Sequence, residues 1–417
     1  MHGRKETMMR QPPSSLSATP VHRIPAQGNG RRCARRKRQL LATLADVIDA
    51  GLNTGKYVQG SYVRAFEWLI EERWQVAAAI AVNSGSTALR LAFEALHIEA
   101  GREVLVPALT FISTAYAVHD AGLVPVFVDI DPHTYTIDPA AVEEAITEKT
   151  AAMVPVHVYG QMADMTPLLD LADASGLYVV EDAAQAHGAT YTCDFPSMRS
   201  TYYAGSMGDL GCFSLNGVKN MGSLGDAGLI TISPRLLARR REIAYHLRGM
   251  RDLGRFATQR YVHETWGMRA RMDEFSAAQC LQELAELDRW NERRREIAAR
   301  YTAALANSQL QAPLTAPGRQ HVYFTYAVQA PSLETRREVE RALQAVGIEA
   351  TEAYTLVPDQ TPYRTGKLPC RIAGLKGARQ VTQRLIHIPL YPELEEAEID
   401  RIVAVLEQVA ARNRKEQ

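Results

Sequence analysis

One lysine stands in "CFSLNGVKNMGSLGDAG", residues 212–228, among serine, asparagine and glycine and between two apolar strand-like pieces, "LGCFSL" and "GLITI". A solvent-facing helix is not written this way, and the small neighbours leave room beside the amine of Lys219. "VVEDAAQAHGA" puts Asp182 just past another hydrophobic strand, with Gln185 and then His187 behind it. "NSGSTAL", 83–89, turns into a helix, and its start offers the N–H groups of Gly85 and Ser86 with a positive dipole end, which suits a phosphate. Phe111 closes a strand in "ALTFIST", and Ser214 lies shortly before the lysine. Each feature has a plainer reading alone: Ser84 or Ser86 as a helix cap, Asp182 as a turn former, Phe111 as core.

The conjunction says more than the parts. An amine can form a Schiff base, a carboxylate can keep a ring nitrogen protonated, and N–H and hydroxyl donors can hold a phosphate. Lys219, Asp182, and Gly85 with Ser86 and Ser214 supply these in turn, which are the requirements of pyridoxal 5′-phosphate (PLP).

Such residues need strand ends to hold them. "EVLVPAL", "PVFVDID", "AAMVPVHVYG" and "LYVVEDAAQ" are short and almost continuously apolar, as strands covered on both faces are. Between them "STAYAVHDAG", "DPAAVEEAI" and "MTPLLDLADASG" read as crossover helices, the last stopping at Gly176. The fold class is α/β, with a largely parallel sheet flanked by helices and ligands gathered at the strands' carboxyl ends.

The expected organisation is a flexible basic tail over 1–38, a large α/β domain over 39–272, a linking helix over 273–301 and a smaller α+β domain over 302–417. In the linking helix Phe275, Ala278, Leu281, Leu284 and Leu287 form one stripe. "YFTYAVQA", "TRREVERALQAVG", "IHIPLYP" and "EIDRIVAVLEQVAA" supply the strands and helices of the smaller domain.

The 417 residues, 46% of them hydrophobic, suffice for a large core. Lysine plus arginine number 47, as do aspartate plus glutamate, and this balance argues against nucleic acid or an anionic membrane as the main partner. The run "RRCARRKR" at 31–38 breaks the balance locally and reads as a solvated lead-in to a helix. Cys33, Cys193, Cys212, Cys280 and Cys370 form no CxxC pair, so neither a disulfide framework nor a zinc site is expected, and a reducing cytoplasm fits. No apolar run approaches the ~20 residues of a membrane span. The first 30 residues lack an apolar h-region and read as a flexible tail, with an organelle transit peptide as the other reading.

From about residue 50 to 410 the chain resembles the DegT/DnrJ/EryC1/StrS family of sugar aminotransferases, fold-type I PLP enzymes. The likeness lies in "TGKYVQGSYVRAFE", "NSGSTALRLAFEAL", "VLVPALTFISTAYAV", "PVFVDIDPHTYTID", "PVHVYGQMADM", "VVEDAAQAHGA", "GCFSLNGVKNMGSLGDAG" and "MRARMDEFSAAQ". The resemblance implies that Lys219 carries the cofactor and moves a proton. Asp182 would pair with the pyridine nitrogen, Gln185 with the 3-hydroxyl, and Phe111 would stack on the ring. Gly85, Ser86 and Ser214 would hold the phosphate. Tyr57 and Gly60 in "GKYVQG" fall where the family shapes its substrate pocket, and His187 is a further substrate-side candidate. It also implies a homodimer with active sites at the subunit interface.

Three departures accompany it. Gly217 and Val218 stand where the family often has Pro-Ser or Pro-Thr. "GMRARM" replaces the family's G-x-N-x-R-M, so that Arg269 takes the place of an asparagine that reaches the neighbouring subunit's cofactor phosphate. The 190–205 stretch, "TYTCDFPSMRSTYYAG", is longer than usual, either a functional loop or a surface excursion. The implied reaction transfers an amino group from glutamate or glutamine to a keto group of a sugar, nucleotide-linked in most such families, or of a cyclitol. Such reactions serve antibiotic-sugar or polysaccharide pathways. Lys219 speaks against a deoxygenating dehydratase, which carries histidine there. An aminodehydratase keeps the lysine, and a catalytically idle regulator with this fold is the remaining alternative.

Overall fold

The computed structural model describes residues 23–195, 198–256 and 261–412. Helices α1 (Asn29–Thr54) and α2 (Ser61–Trp74) lead into strand β1 (Ala78–Val82). Strands β2 (Glu103–Pro107), β3 (Val124–Val128), β4 (Thr150–Met153) and β5 (Tyr178–Asp182) then alternate with helices α3 (Gly85–Ala95), α4 (Ile112–Asp120), α5 (Pro139–Ala145) and α6 (Met165–Ser175). The hairpin β6 (Thr190–Phe195) and β7 (Met198–Tyr203) precedes β8 (Leu210–Ser214) and β9 (Gly228–Ile232). Helices α7 (Arg240–Met250) and α8 (Glu274–Ala304) follow. The remainder holds β10 (Arg319–Gln320), β11 (Tyr326–Gln329), α9 (Leu333–Ala345), β12 (Thr351–Glu352), α10 (Thr361–Arg364), β13 (Arg371–Ile372), α11 (Lys376–Thr382), β14 (Leu385–Ile388) and α12 (Glu396–Arg412).

Eight strands form the main sheet in the order β1-β9-β8-β5-β4-β2-β3-β13. Only β9 runs against its neighbours; the other pairings are parallel. Successive residues face opposite cores, as pleated strands require: Val104 and Val106 join one apolar cluster and Leu105 the other. Helices cover both faces, so nearly every position is apolar, which is why these strands read as continuous runs. Gly176 ends α6 at φ 65°, a left-handed cap that glycine adopts without strain. A third core gathers Ile297 and Tyr301 of α8 with Tyr326, Val339, Ile386, Ile399 and Leu406.

Two expected boundaries are crossed. Residues 29–38 belong to α1 rather than to a flexible tail, and α1 begins about ten residues before the apolar periodicity signals it. Its first turns face inward through arginines, not aliphatics: Arg32 is buried, and Arg36 lies 2.6 Å from Glu283 of α8. Upstream of α1, Ile24 pairs with Ile348 and sits fully buried in the third core. Within the expected smaller domain, β13 pairs with β3 of the main sheet, and Leu356, Val357 and Tyr363 pack into a main-sheet core. Residues 1–22 lie outside the described residues.

No helix among the described residues is long and apolar enough to cross a membrane. The five cysteines are free thiols. The 190–205 excursion is the β6–β7 hairpin, extended by β10 into a small sheet of its own.

Candidate active site

Strand β1 runs parallel to β8, since each is antiparallel to β9 between them. The carboxyl ends of β1, β2, β5 and β8 therefore open on one edge of the sheet. A cavity of about 780 Å³ lies there, lined by Gly85, Ser86, Phe111, Asp182, Gln185, Ser214 and Lys219 together. Seven positions scattered over 135 residues of sequence are thus brought to one place, by the strand-end rule for open α/β sheets.

Lys219 follows β8. Its amine stands 4.8 Å over the ring of Phe324, and burial lowers its pKa from 10.5 to about 8, with Asp182 opposing part of that shift. The loop below it is an Asx turn: the Asn216 side chain accepts from Val218 N–H at 3.1 Å, and the Asn216 carbonyl from Lys219 N–H at 2.9 Å. Asp182 ends β5 and is buried; its carboxylate accepts from Thr114 Oγ1 at 2.7 Å and from Ala184 N–H at 3.2 Å. Burial raises its pKa, while the Thr114 hydrogen bond, Ala184 N–H and the Lys219 charge oppose the rise.

Ser84 caps α3 by accepting from Thr87 N–H at 3.1 Å. The N–H groups of Gly85 and Ser86, in the first turn, have no partner within the helix and remain for a ligand. Ser86 Oγ donates to Ser113 Oγ at 2.9 Å. Gly85 is required by close approach: a Cβ there would lie 2.8 Å from Ser214 Cβ and 2.9 Å from its Cα. Gly85→Ala is expected to push α3 from β8, costing roughly 1–3 kcal/mol of stability and weakening PLP binding. Thermal melting and a PLP titration check both; unchanged values in each would show that the contact relaxes freely.

These groups fit PLP. The cavity presents a lysine of lowered basicity, a buried carboxylate with a hydrogen bond to orient it, and a helix start held against the strand that carries Ser214. The sequence profile of the DegT/DnrJ/EryC1/StrS aminotransferase family matches residues 39–407. The chain belongs to that family.

Among its DegT/DnrJ/EryC1/StrS relatives is the pleiotropic regulatory protein of Geobacillus stearothermophilus, 35% identical over 88% of this chain and 94% of the relative. The UDP-N-acetyl-3-dehydro-alpha-D-glucosamine 3-aminotransferase of Acidithiobacillus ferrooxidans is 36% identical over 88% of this chain and 94% of its own. In three dimensions the chain is similar to DesV of S. venezuelae, solved in complex with a ketimine intermediate. The TM-score is 0.82 at 35% identity, covering 93% of this chain and 98% of the other. The chain is accordingly a PLP-dependent aminotransferase of fold type I.

Four of the candidate site residues lie outside the cavity. His187 is fully buried and its Nε2 lies 2.9 Å from the Ser214 carbonyl; burial and the Lys219 charge press its pKa down to about 3. The neutral ring therefore donates to that carbonyl at the end of β8, and in the single subunit His187 does not line the cavity. Gly60 N–H donates to Glu274 at 2.8 Å, and Tyr57 stacks on Phe275 at 6.0 Å, both beside α8. Arg269 is exposed next to β1, where the neighbouring Ala270 carbonyl accepts from Asn83 N–H at 3.0 Å. No described residue of the 190–205 hairpin lines the cavity.

Other lining residues escaped the sequence reading. Gln185 is already occupied: its side-chain oxygen accepts from Tyr159 N–H at 2.6 Å and its amide nitrogen donates to Tyr354 Oη at 3.0 Å. Tyr354 also meets Phe111 at 5.9 Å between ring centres, and Thr351, Glu352 and His387 bring the C-terminal region to the cavity wall. Thr114 had a faint signal, one turn along the helix that Phe111 begins.

Proposed function

We propose that this aminotransferase moves an amino group from L-glutamate or L-glutamine to a keto group on a nucleotide-linked sugar, as a homodimer in the cytoplasm. The lysine of lowered basicity facing a buried carboxylate across one cavity carries this reading. Bound PLP would supply an electrophilic carbon for the amine and a sink for the electron pair left when the proton is taken from the donor's Cα. Lys219 would hold the cofactor and, once free of it, would be the amine available to carry that proton. With a pKa near 8 it is available both as base and as conjugate acid around neutrality.

Asp182 would keep the pyridine nitrogen protonated, oriented by Thr114. Phe111 would cover the ring, and Gly85, Ser86 and Ser214 would take the phosphate. Gln185 would exchange one of its two present partners for the 3-hydroxyl. Arg269, exposed here, would reach the partner subunit's phosphate as a bidentate donor where the family uses asparagine. The UDP-sugar named for the Acidithiobacillus relative supports a nucleotide-linked acceptor.

The test is an absorbance spectrum of the PLP-loaded protein before and after L-glutamate and, separately, L-glutamine. The visible absorbance of lysine-bound PLP should bleach with one of them, and a keto sugar nucleotide should restore it. Failure of both amino acids to bleach it removes the donor assignment. The Geobacillus relative is named only as a regulatory protein, and the second reading is a catalytically idle regulator with this fold. Such a protein has no need of a lysine with lowered basicity, and absorbance that survives every donor and acceptor would favour it.

A further inference from the structure

Helix α1 sets a buried arginine against the loop that carries Lys219. Arg32 keeps 8% of its surface exposed. Its guanidinium donates to the carbonyl of Gly217 at 2.6 Å and to those of Lys219 and Asn220 at 3.2 Å. Glu283 of α8 stands 3.4 Å from the same group, and the Trp290 ring lies 5.3 Å from its central carbon. A charge this deep is tolerated only when paired and fully hydrogen-bonded. Here the pairing falls on Glu283, and the hydrogen bonds fall on the peptide planes around Lys219.

Within itself the loop is closed by the Asn216 turn and by Ser223 N–H on the Leu215 carbonyl. Gly217 contributes no side chain, and Val218 offers no hydroxyl. From below, Asn220 Nδ2 donates to Asn291 Oδ1 and to the Val322 carbonyl, both at 3.1 Å. A planar fork reaching three carbonyls fixes the peptide plane that follows Lys219 and the planes one residue further out on either side, which a point charge cannot do. The stretch just upstream is anchored as well. Ile24 exchanges backbone hydrogen bonds with Gly347 and Glu349, and residues 26–29 line the same cavity as Lys219.

We propose that Arg32 is a positioning residue for Lys219, supplied by the N-terminal segment, and that it aims the amine into the cavity by clamping the carbonyls of Gly217, Lys219 and Asn220. The proposal rests on Lys219 being the cofactor lysine. It makes the N-terminal segment a working part of the active site rather than an appendage.

Hydrogen exchange on the cofactor-free protein reads the clamp directly. In Arg32→Gln the Lys219 and Ser223 amides should exchange at least about tenfold faster, with Arg32→Lys between it and wild type. In the loaded enzyme kcat should fall by about 10- to 100-fold with the acceptor KM unchanged, and added guanidinium ion should restore part of it. Glu283→Gln is the control, since it loses the ion pair but leaves the fork on its carbonyls: it should melt lower and keep kcat. A variant of Arg32 that melts lower while the loop exchange and kcat stay at wild-type values overturns the proposal, leaving Arg32 as an anchor for α1. The same holds if Glu283→Gln and Arg32→Gln lose kcat equally. If instead Lys219→Ala keeps turnover, the underlying reading fails, whatever the exchange data show.

Discussion

Lys219→Ala should yield a folded protein that turns over at least ~10⁴-fold more slowly, because one amine is asked both to hold PLP and to carry the proton. Its spectrum with PLP should lack the visible absorbance of a lysine-bound cofactor, and a small external amine should return part of the activity. The pH dependence of cofactor loading in wild type gives a second reading of the same residue. Attack needs the neutral amine, and burial lowers the pKa to about 8. Loading should therefore speed up as pH rises toward 8 and level off above it, where an exposed lysine would go on gaining to about 10.4. Turnover retained in Lys219→Ala, as followed by amino-sugar formation, would remove Lys219 from the chemistry.

Asp182→Asn is expected to have the next largest effect. The asparagine keeps the shape and a hydrogen-bonding partner for Thr114 but has no charge to hold a proton on the ring nitrogen. Loss of one such preorganised charge typically costs about 10²- to 10³-fold in kcat, and we expect a fall of that order. Because Lys219 is intact, the visible absorbance should still form, separating this variant from Lys219→Ala. The carboxylate lies 2.7 Å from Thr114 Oγ1 and is buried, so water cannot take over its role. Stopped-flow absorbance of the donor half-reaction would decide it: a rate within a few-fold of wild type would mean that the ring nitrogen needs no charged partner here.

Most of the main sheet and several cavity residues could be read from the sequence for a local reason. A strand buried on both faces writes an unbroken apolar run, and the polar residue at its carboxyl end stands out against it. Asp182 and Ser214 are visible on that account, and Gly85 and Ser86 by the turn into a helix, whereas Phe111 and Gln185 took their roles from the family resemblance. Arg32, Phe324 and Tyr354 reach the cavity from elements far away in sequence, with no spacing that links them to Lys219. Arg32 was hidden further by its company, since a run of eight mostly basic residues looks solvated although two of its arginines pack inward on Glu283. His187 stands two residues after Gln185, yet its ring is buried on the Ser214 carbonyl and does not line the cavity. Tyr57, Gly60 and Arg269 were drawn from the family resemblance, and their surroundings in a single subunit bear on α8 and β1, not on the cavity.

The pairing of β13 with β3 shapes how the chain must be made. Arg371 and Ile372 supply the outermost rung of a sheet whose other strands are all synthesised by Ile232. A growing chain that has finished α8 carries β3 with an open edge, and an unpaired edge is a template for another chain. Closing it waits on a contact spanning more than half the sequence, with the loop entropy and slow search that such contacts bring. The N-terminal end waits too, since Ile24 has no core to enter until Ile348 is in place. Both the open edge of the main sheet and the third core are therefore completed only by residues from the C-terminal part of the chain.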